Sequence, residues 1–277
     1  MSRPGVAFGV FRHVVLLAGA AVMLAPFVWM VATSFKPPHE IFAGELTLLP
    51  RQWHAVENYG QAFTKVPMLR YLANGVFVTA AIFALQILVA VPCAYALAKL
   101  EFRGRETIFT LTLFGLLIPA HVPAIPLYVM LWKAGLLNTY AALVIPFVIS
   151  VFGIFLMRQF FKSIPDELIH AARLDGLSEF AIVWRIMVPA AMPALVSFGI
   201  FSVVAHWNDY FWPLLVINSR ELAPPPLGVA YFRNEEAGHD FGPLMAGAVI
   251  VTAPLVVAFL LAQRRFIEGM TMTGLKS

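Results

Sequence analysis

Charge is what this chain has least of. Only 12% of its 277 residues are Asp, Glu, Lys or Arg, where a soluble domain carries about 25%. Those few charges sit in short blocks between long apolar runs, which excludes a water-soluble globular domain. The runs are continuously apolar and do not alternate in ~10-residue strands, which excludes a transmembrane β-barrel. Cysteine is almost missing: Cys93 alone, inside an apolar run, excludes an internal disulfide and reads as a small core residue. No Gly-x-x-x-x-Gly-Lys-Ser/Thr phosphate loop occurs; in Gly274-Leu275-Lys276-Ser277 a leucine stands between the glycine and the lysine, and no helix follows. Hence no catalytic residue is assigned and the chain is expected not to hydrolyse ATP. The seven histidines are scattered, with no metal-ligand spacing and no nucleophile triad. The net charge of +4 is explained by basic residues flanking membrane segments, not by nucleic acid.

What is present is hydrophobic length. Six stretches, 14–35, 71–98, 107–132, 139–160, 190–217 and 243–263, can each cross a ~30 Å hydrocarbon core, which needs about 20 apolar residues. The first follows Arg3 and Arg12 but exceeds a signal-peptide core, contains Pro26 and Trp29, and reads as an uncleaved anchor. The expected fold class is an all-α polytopic membrane protein with six transmembrane helices. Its parts are an N-terminal segment 1–13, the membrane domain 14–263 and a tail 264–277. With the N-terminus in the cytoplasm, the inner segments hold twelve Lys and Arg and the longer outer loops seven. That bias places both termini inside.

Prolines interrupt several spans. Pro119, Pro123 and Pro126 fall within eight residues of span three and predict a bent or locally unwound segment beside a pathway. Ala90, Ala94 and Ala98 form a small-residue stripe suited to close helix approach.

The exception to apolarity is the polar insert 163–189, cytoplasmic in this orientation. Ser163 and Asp166 have capping-box spacing, and Pro165 lies in the first turn of a helix expected to run to about Leu174. Gly176 breaks it, and Ser178 caps a second helix leading to Pro189. Leu168, Ala171, Ala172, Phe180 and Val183 are expected on one apolar side, with Asp166, Glu167, Arg173, Asp175, Glu179 and Arg185 on the charged side. By pattern alone this is either an interfacial connector lying on headgroups or a surface offered to a partner in water.

The same residues carry a resemblance. Pro165, Glu167, Leu168, Ala171, Ala172, Asp175, Gly176, Ile186 and Pro189 match the extended form of the loop motif found in ABC-importer permeases for carbohydrates, P-x-E-L-x-E-A-A-x-x-D-G followed by I-x-L-P. His170 stands where the motif has glutamate, and Val188 where it has leucine. Trp207-Asn208-Asp209-Tyr210-Phe211-Trp212-Pro213-Leu214 is similar to the W-N-x-x-x-x-P-L signature of maltose-type permeases. Tyr95-Ala96-Leu97-Ala98 with Phe102-Arg103-Gly104, and the ending Gln263 to Thr271, look like family stretches too. The chain therefore resembles, from about residue 33 onward, the maltose-type, binding-protein-dependent inner-membrane permeases.

The resemblance implies a bacterial inner-membrane location and a cytoplasmic coupling helix between spans four and five. It also implies a second homologous permease, two ATP-binding subunits that hold ATP and magnesium, and an extracytoplasmic solute-binding protein. No cofactor is expected on this chain. Glu167, His170, Ala171, Ala172, Asp175, Gly176, Ile186 and Pro189 are the implied coupling residues. In that family the motif glutamate helps dock the permease on its ATPase, and Glu167 or Asp175 can share the role that His170 leaves open. The outer loops 36–70 and 218–242 either dock the binding protein or cap the bundle. His121, Tyr128, Trp207, Asn208 and Asp209 are candidates for a substrate path, since polar groups within spans are functional candidates by default. Asn74 and Gln86 are open between sugar contacts and helix–helix hydrogen bonding. The implied function is half of the translocation path for a carbohydrate or polyol, working by alternating access. The alternatives are a permease for another solute such as a glycerol phosphate ester, or a stand-alone carrier, which inverted repeats of broken helices would mark.

Overall fold

Apolar segments in lipid must satisfy their own backbone groups, and helices do so within the segment. The computed structural model, which describes residues 6–43, 47–119, 121–234, 238–239 and 241–274, is accordingly built of helices. One two-residue antiparallel pair, Arg233–Asn234 with Gly238–His239, is added. The expectations placed on Arg3, on Lys276 and on the side chains of residues 264–271 lie outside the described residues.

The chain divides into two compact units. The first comprises residues up to 69 and residues 228–253. It holds α1 (Val6–Thr33), α2 (Pro38–Ile41), α3 (Ala55–Thr64) and the first part of α15 (Phe241–Gly274). Its long loop after α1 is tied down by side chains. Buried Asn58 donates to the carbonyls of Ser34 and Lys36, each at 2.9 Å. Glu40 accepts the backbone N–H groups of Arg51 and Gln52, which hold its carboxyl below the usual range. Lys36, fully buried, bonds Thr47 and stacks over the Trp29 ring.

The second unit comprises residues 70–227 and 254–274. It is built on α4 (Met68–Lys99), followed by α5 (Arg105–Phe114), α6 (Ala124–Lys133), α7 (Tyr140–Val144) and α8 (Val151–Ser163). Then come α9 (Asp166–Leu174), α10 (Glu179–Ile182), α11 (Val188–Ala190), α12 (Met192–Trp207), α13 (Phe211–Val216) and α14 (Pro225–Ala230). Ala90 and Ala94 of the small-residue stripe are fully buried, and Ala98 packs against the cluster that holds Ala94. Elsewhere helices approach at glycine: a Cβ on Gly153 would lie 2.4 Å from the Phe198 ring, and one on Gly199 2.8 Å from that of Phe83.

Three helices, Phe8–Thr33, Met68–Lys99 and Phe241–Leu261, are each long and apolar enough to cross a membrane. Two bent pairs meet the same test together: Tyr140–Phe147 with Val151–Ser163, bent by 42°, and Glu179–Ala190 with Met192–Trp207, bent by 84°. Among the described residues that makes up to five by length and composition, one short of the expected six. The missing one is the stretch 107–132, and its prolines are the reason. α5 ends at Phe114, a 3-10 turn covers Gly115–Leu117, and α6 begins only at Ala124. Each ten-residue piece spans about 15 Å, half of the hydrocarbon core. The expected unwound segment is therefore present, whereas Pro26, Pro92 and Pro254 sit inside continuous helices.

Candidate functional site

The insert 163–189 is two short helices set against the bundle. α9 starts at Asp166 with Pro165 as its N-cap, and no side chain caps it. The expected capping box is not formed: Ser163 still belongs to α8 and its hydroxyl donates to Phe160 O at 2.7 Å. The break falls where expected. Gly176 has φ +78°, a left-handed conformation that glycine adopts without strain. Its N–H bonds Arg173 O, and that of Leu177 bonds Ala172 O, closing the C-terminal turn of α9. Ser178 then caps α10 by accepting from Ala181 N at 3.3 Å.

The second helix is not α-helical throughout. Residues Val183–Met187 form a π turn, closed by a bond from Val188 N–H to Val183 O. Pro189 supplies a cause, because its ring would collide with the carbonyl four residues back, and a wider turn relieves that clash.

The apolar side of the insert is also other than expected. Ile169, Ala172, Ile182, Val183, Met187 and Val188 are buried in one cluster with Val91, Ala94 and Tyr95 of α4, Met157 and Phe161 of α8 and Ala194 of α12. Leu168, Ala171 and Phe180 point away from it and are exposed. Helical spacing puts two apolar stripes on α9, and the one starting at Ile169 fits the bundle. Glu167, His170, Ala171, Asp175 and Gly176 are exposed beside Leu174, whose side chain is 90% open. Ala172, Ile186 and Pro189 instead belong to the packed side or to the corner that follows.

Sequence reasoning missed the residues that hold the insert in place. The Tyr95 hydroxyl donates to Glu179 Oε2 at 2.5 Å, and Arg173 Nε donates to Glu179 Oε1 at 2.7 Å. Lys99 bonds the carbonyl of Ile164 and the Asp166 carboxylate. Arg173, then Tyr95, holds the Glu179 carboxyl below its ordinary value of 4.5, and Lys99 does the same for Asp166. A depressed carboxyl contributes above its ordinary value and is lost only as pH falls through the lowered one, so both contacts are intact at neutral pH. The missed signal is the charge within the insert itself: Arg173 and Glu179 lie on opposite sides of the glycine break, poised to pair.

Of the candidate path residues, the structure brings some together. Asn208 and Asp209 occupy a break in the predicted fifth span, between α12 and α13. Asn208 Nδ2 bonds Val204 O at the end of α12, and Asp209 Oδ1 accepts from Trp212 N–H at the start of α13. The signature thus terminates one helix and starts another. His121, in the proline break of span three, sets its ring edge-on to Phe211 at 4.6 Å. Two broken segments therefore meet at His121, Phe211 and Asp209, with Tyr128 and Tyr210 also open on this unit. Trp207 is not part of that surface: it is buried, close enough to Gly75 that a Cβ there would touch its ring at 3.2 Å.

Asn74 and Gln86 are hydrogen-bonded within the bundle. Asn74 donates to the carbonyls of Glu221 and Ala223 and accepts from Tyr140. Gln86 joins Phe147 O, Ser202 and His206. A groove of about 400 Å³ between α4, α12 and the middle of α15 is lined only by apolar residues, Phe83, Leu195, Gly199, Val203, Leu255 and Phe259 among them. It offers no side-chain partner for a hydroxyl-rich solute.

Residues 86–271 match a family described as the binding-protein-dependent transport system inner membrane component. The chain is 32% identical over 259 residues to the arabinooligosaccharides transport system permease protein of Halalkalibacterium halodurans, covering 93% of this chain and 92% of the relative. It is 30% identical over 268 residues to the sn-glycerol-3-phosphate transport system permease protein of Escherichia coli O1:K1, covering 94% and 95%. Among solved structures, a chain of a bacterial ABC transporter involved in the import of the acidic polysaccharide alginate superposes with a TM-score of 0.84. That match has 26% identity and covers 96% of this chain and 99% of the other.

Proposed function

We propose, from the premise that this chain belongs to the binding-protein-dependent transport system inner membrane component family, that it forms half of the path by which an importer carries a carbohydrate or polyol inward. It is the permease subunit of an ABC importer. Six spans are counted by taking α5, the proline break and α6 as one, with both termini in the cytoplasm. The partners are a second homologous permease, two ATP-binding subunits that hold ATP and magnesium, and an extracytoplasmic solute-binding protein.

The observation that carries this reading is the insert. It is packed into the bundle on one side and turns Glu167, Leu168, His170, Ala171 and Leu174 outward on the other. A surface of that kind transmits motion without chemistry of its own. Closure of the ATP-binding subunits on ATP shifts α9 and α10 as one body, and the spans then exchange inward- and outward-facing states. Nucleotide must stabilise the two states unequally for this to work. His121, Tyr128, Asn208 and Asp209 line the path where the two broken segments meet, with Trp207 buttressing it from the core. The relatives' names favour a saccharide, and the glycerol phosphate relative makes such an ester the second reading.

Reconstitution with the partner subunits and binding protein tests the proposal. ATP-dependent uptake of oligosaccharides, polyols and sn-glycerol 3-phosphate is measured side by side; uptake without ATP would overturn it. Gly176→Pro, which cannot adopt φ +78°, is expected to leave membrane insertion intact while separating ATP hydrolysis from uptake. Normal stimulated uptake in that variant would sink the coupling role of the insert.

A further inference from the structure

The Tyr95-Ala96-Leu97-Ala98 stretch has no part in the proposal so far, yet the end of α4 that carries it holds three separate elements. Glu179 of α10 takes two donors at once, the Tyr95 hydroxyl of α4 at 2.5 Å and Arg173 Nε of α9 at 2.7 Å. Four residues on, Lys99 reaches Ile164 O and Asp166, at the entry to α9. Between them, Leu97 O accepts from Arg158 Nε at 3.0 Å, and the other end of Arg158 holds Glu106 of α5.

Nothing lies within 4 Å of where a Cβ would stand on Gly176, the joint between α9 and α10. The angle at that joint is therefore set by whatever bridges the two helices. Apolar contact is non-directional and permits sliding, whereas charge-assisted hydrogen bonds fix direction as well as distance. Tyr95 is only 2% exposed, with its ring edge-on to Phe161, so its hydroxyl is held in one place.

We infer that Tyr95, Glu179 and Arg173 form a clasp that fixes α9 against α10 and fastens the pair to α4. α4 is thereby the span that the insert grips through directional contacts, beside the apolar packing it shares with α8 and α12. All three are positioning residues, and the inference rests on the permease reading above.

The test uses the complete importer in proteoliposomes, measuring solute carried per ATP hydrolysed, the amount of assembled complex and the basal ATPase rate. Tyr95→Phe removes one oxygen and keeps the ring. It is expected to lower solute per ATP by about threefold or more, the scale of one hydrogen bond, with assembly and basal hydrolysis retained. Glu179→Gln is expected to act in the same direction, and the double variant no more severely than the worse single, as members of one unit behave. An unchanged ratio in both single variants overturns the clasp, as does a loss confined to the amount of complex, or losses that multiply in the double variant. A parent complex without ATP-driven uptake overturns the permease reading itself, and the clasp with it.

Discussion

Arg158 is a cation with 3% of its side chain exposed, inside a chain that has few charges to spare. Its burial is tolerable because each end is satisfied. Nε bonds Leu97 O, Nη2 bonds the Glu106 carboxylate, and the guanidinium lies 3.6 Å above the centre of the Phe109 ring. Glu106, by contrast, is 62% exposed. That asymmetry decides what each substitution does. Arg158→Met strands a buried carbonyl and removes the cation from its ring, at a cost of about 2–3 kcal/mol. Glu106→Gln, on the open side, costs about 1 kcal/mol or less. Thermal unfolding in detergent is expected to rank them in that order, and equal shifts would show that the pair, not the buried cation, is what matters. The sequence makes Arg158 count toward the inner-face positive charge but is silent on its role. Its partners are a carbonyl 61 residues earlier and a ring on another helix, and no periodicity encodes such distances. Asn74 and Gln86 stay ambiguous in sequence for the same reason.

Elements were more legible where a residue constrains its own backbone. Gly176 and Ser178 mark the break and the second cap of the insert correctly, since φ > 0 and an N-cap are local requirements. The three prolines of span three likewise announce their break. The capping box at Ser163 failed because α8 runs one residue further and claims that hydroxyl. The buried side of α9 was misassigned because two apolar stripes, one through Leu168 and one through Ile169, satisfy the same helical spacing; only the neighbours choose between them. Helix-to-helix approach was legible at the alanine stripe and not at glycine. Gly153 faces the buried Phe198 ring so closely that Gly153→Ala must displace that ring or the helices that carry the two residues. Overpacking of that kind costs about 1–3 kcal/mol. The unfolding temperature is expected to fall, and adding Phe198→Leu to recover part of the loss. No recovery would place the strain elsewhere.

On the scale of the whole molecule, membrane class and helical fold follow from composition, and the family from motifs spread along two thirds of the chain. Span count is less legible: hydropathy sums over a window and passes straight across the break that separates the turn ending at Leu117 from the helix starting at Ala124. Topology is open to a direct measurement because Cys93 is the one cysteine. In a Cys93→Ala background, Leu174→Cys places a thiol at a side chain 90% exposed on the insert. A membrane-impermeant maleimide is expected to label it in inside-out vesicles and not in intact spheroplasts. The reverse pattern would invert the orientation and remove the insert from the cytoplasm.

The π turn at Val183–Met187 has a consequence for how this loop tolerates length. Because an i→i+5 turn holds one residue more than an α-turn, the segment stores a single surplus residue without disturbing its flanks. Ile182 before it and Val188 after it keep their places in the core. A homologous loop shorter by one residue between these two would close the same gap as an ordinary α-helix. Spacing between the loop glycine and the final proline therefore does not translate directly into distance. Two members of this family can differ by one residue there and still present the same surface.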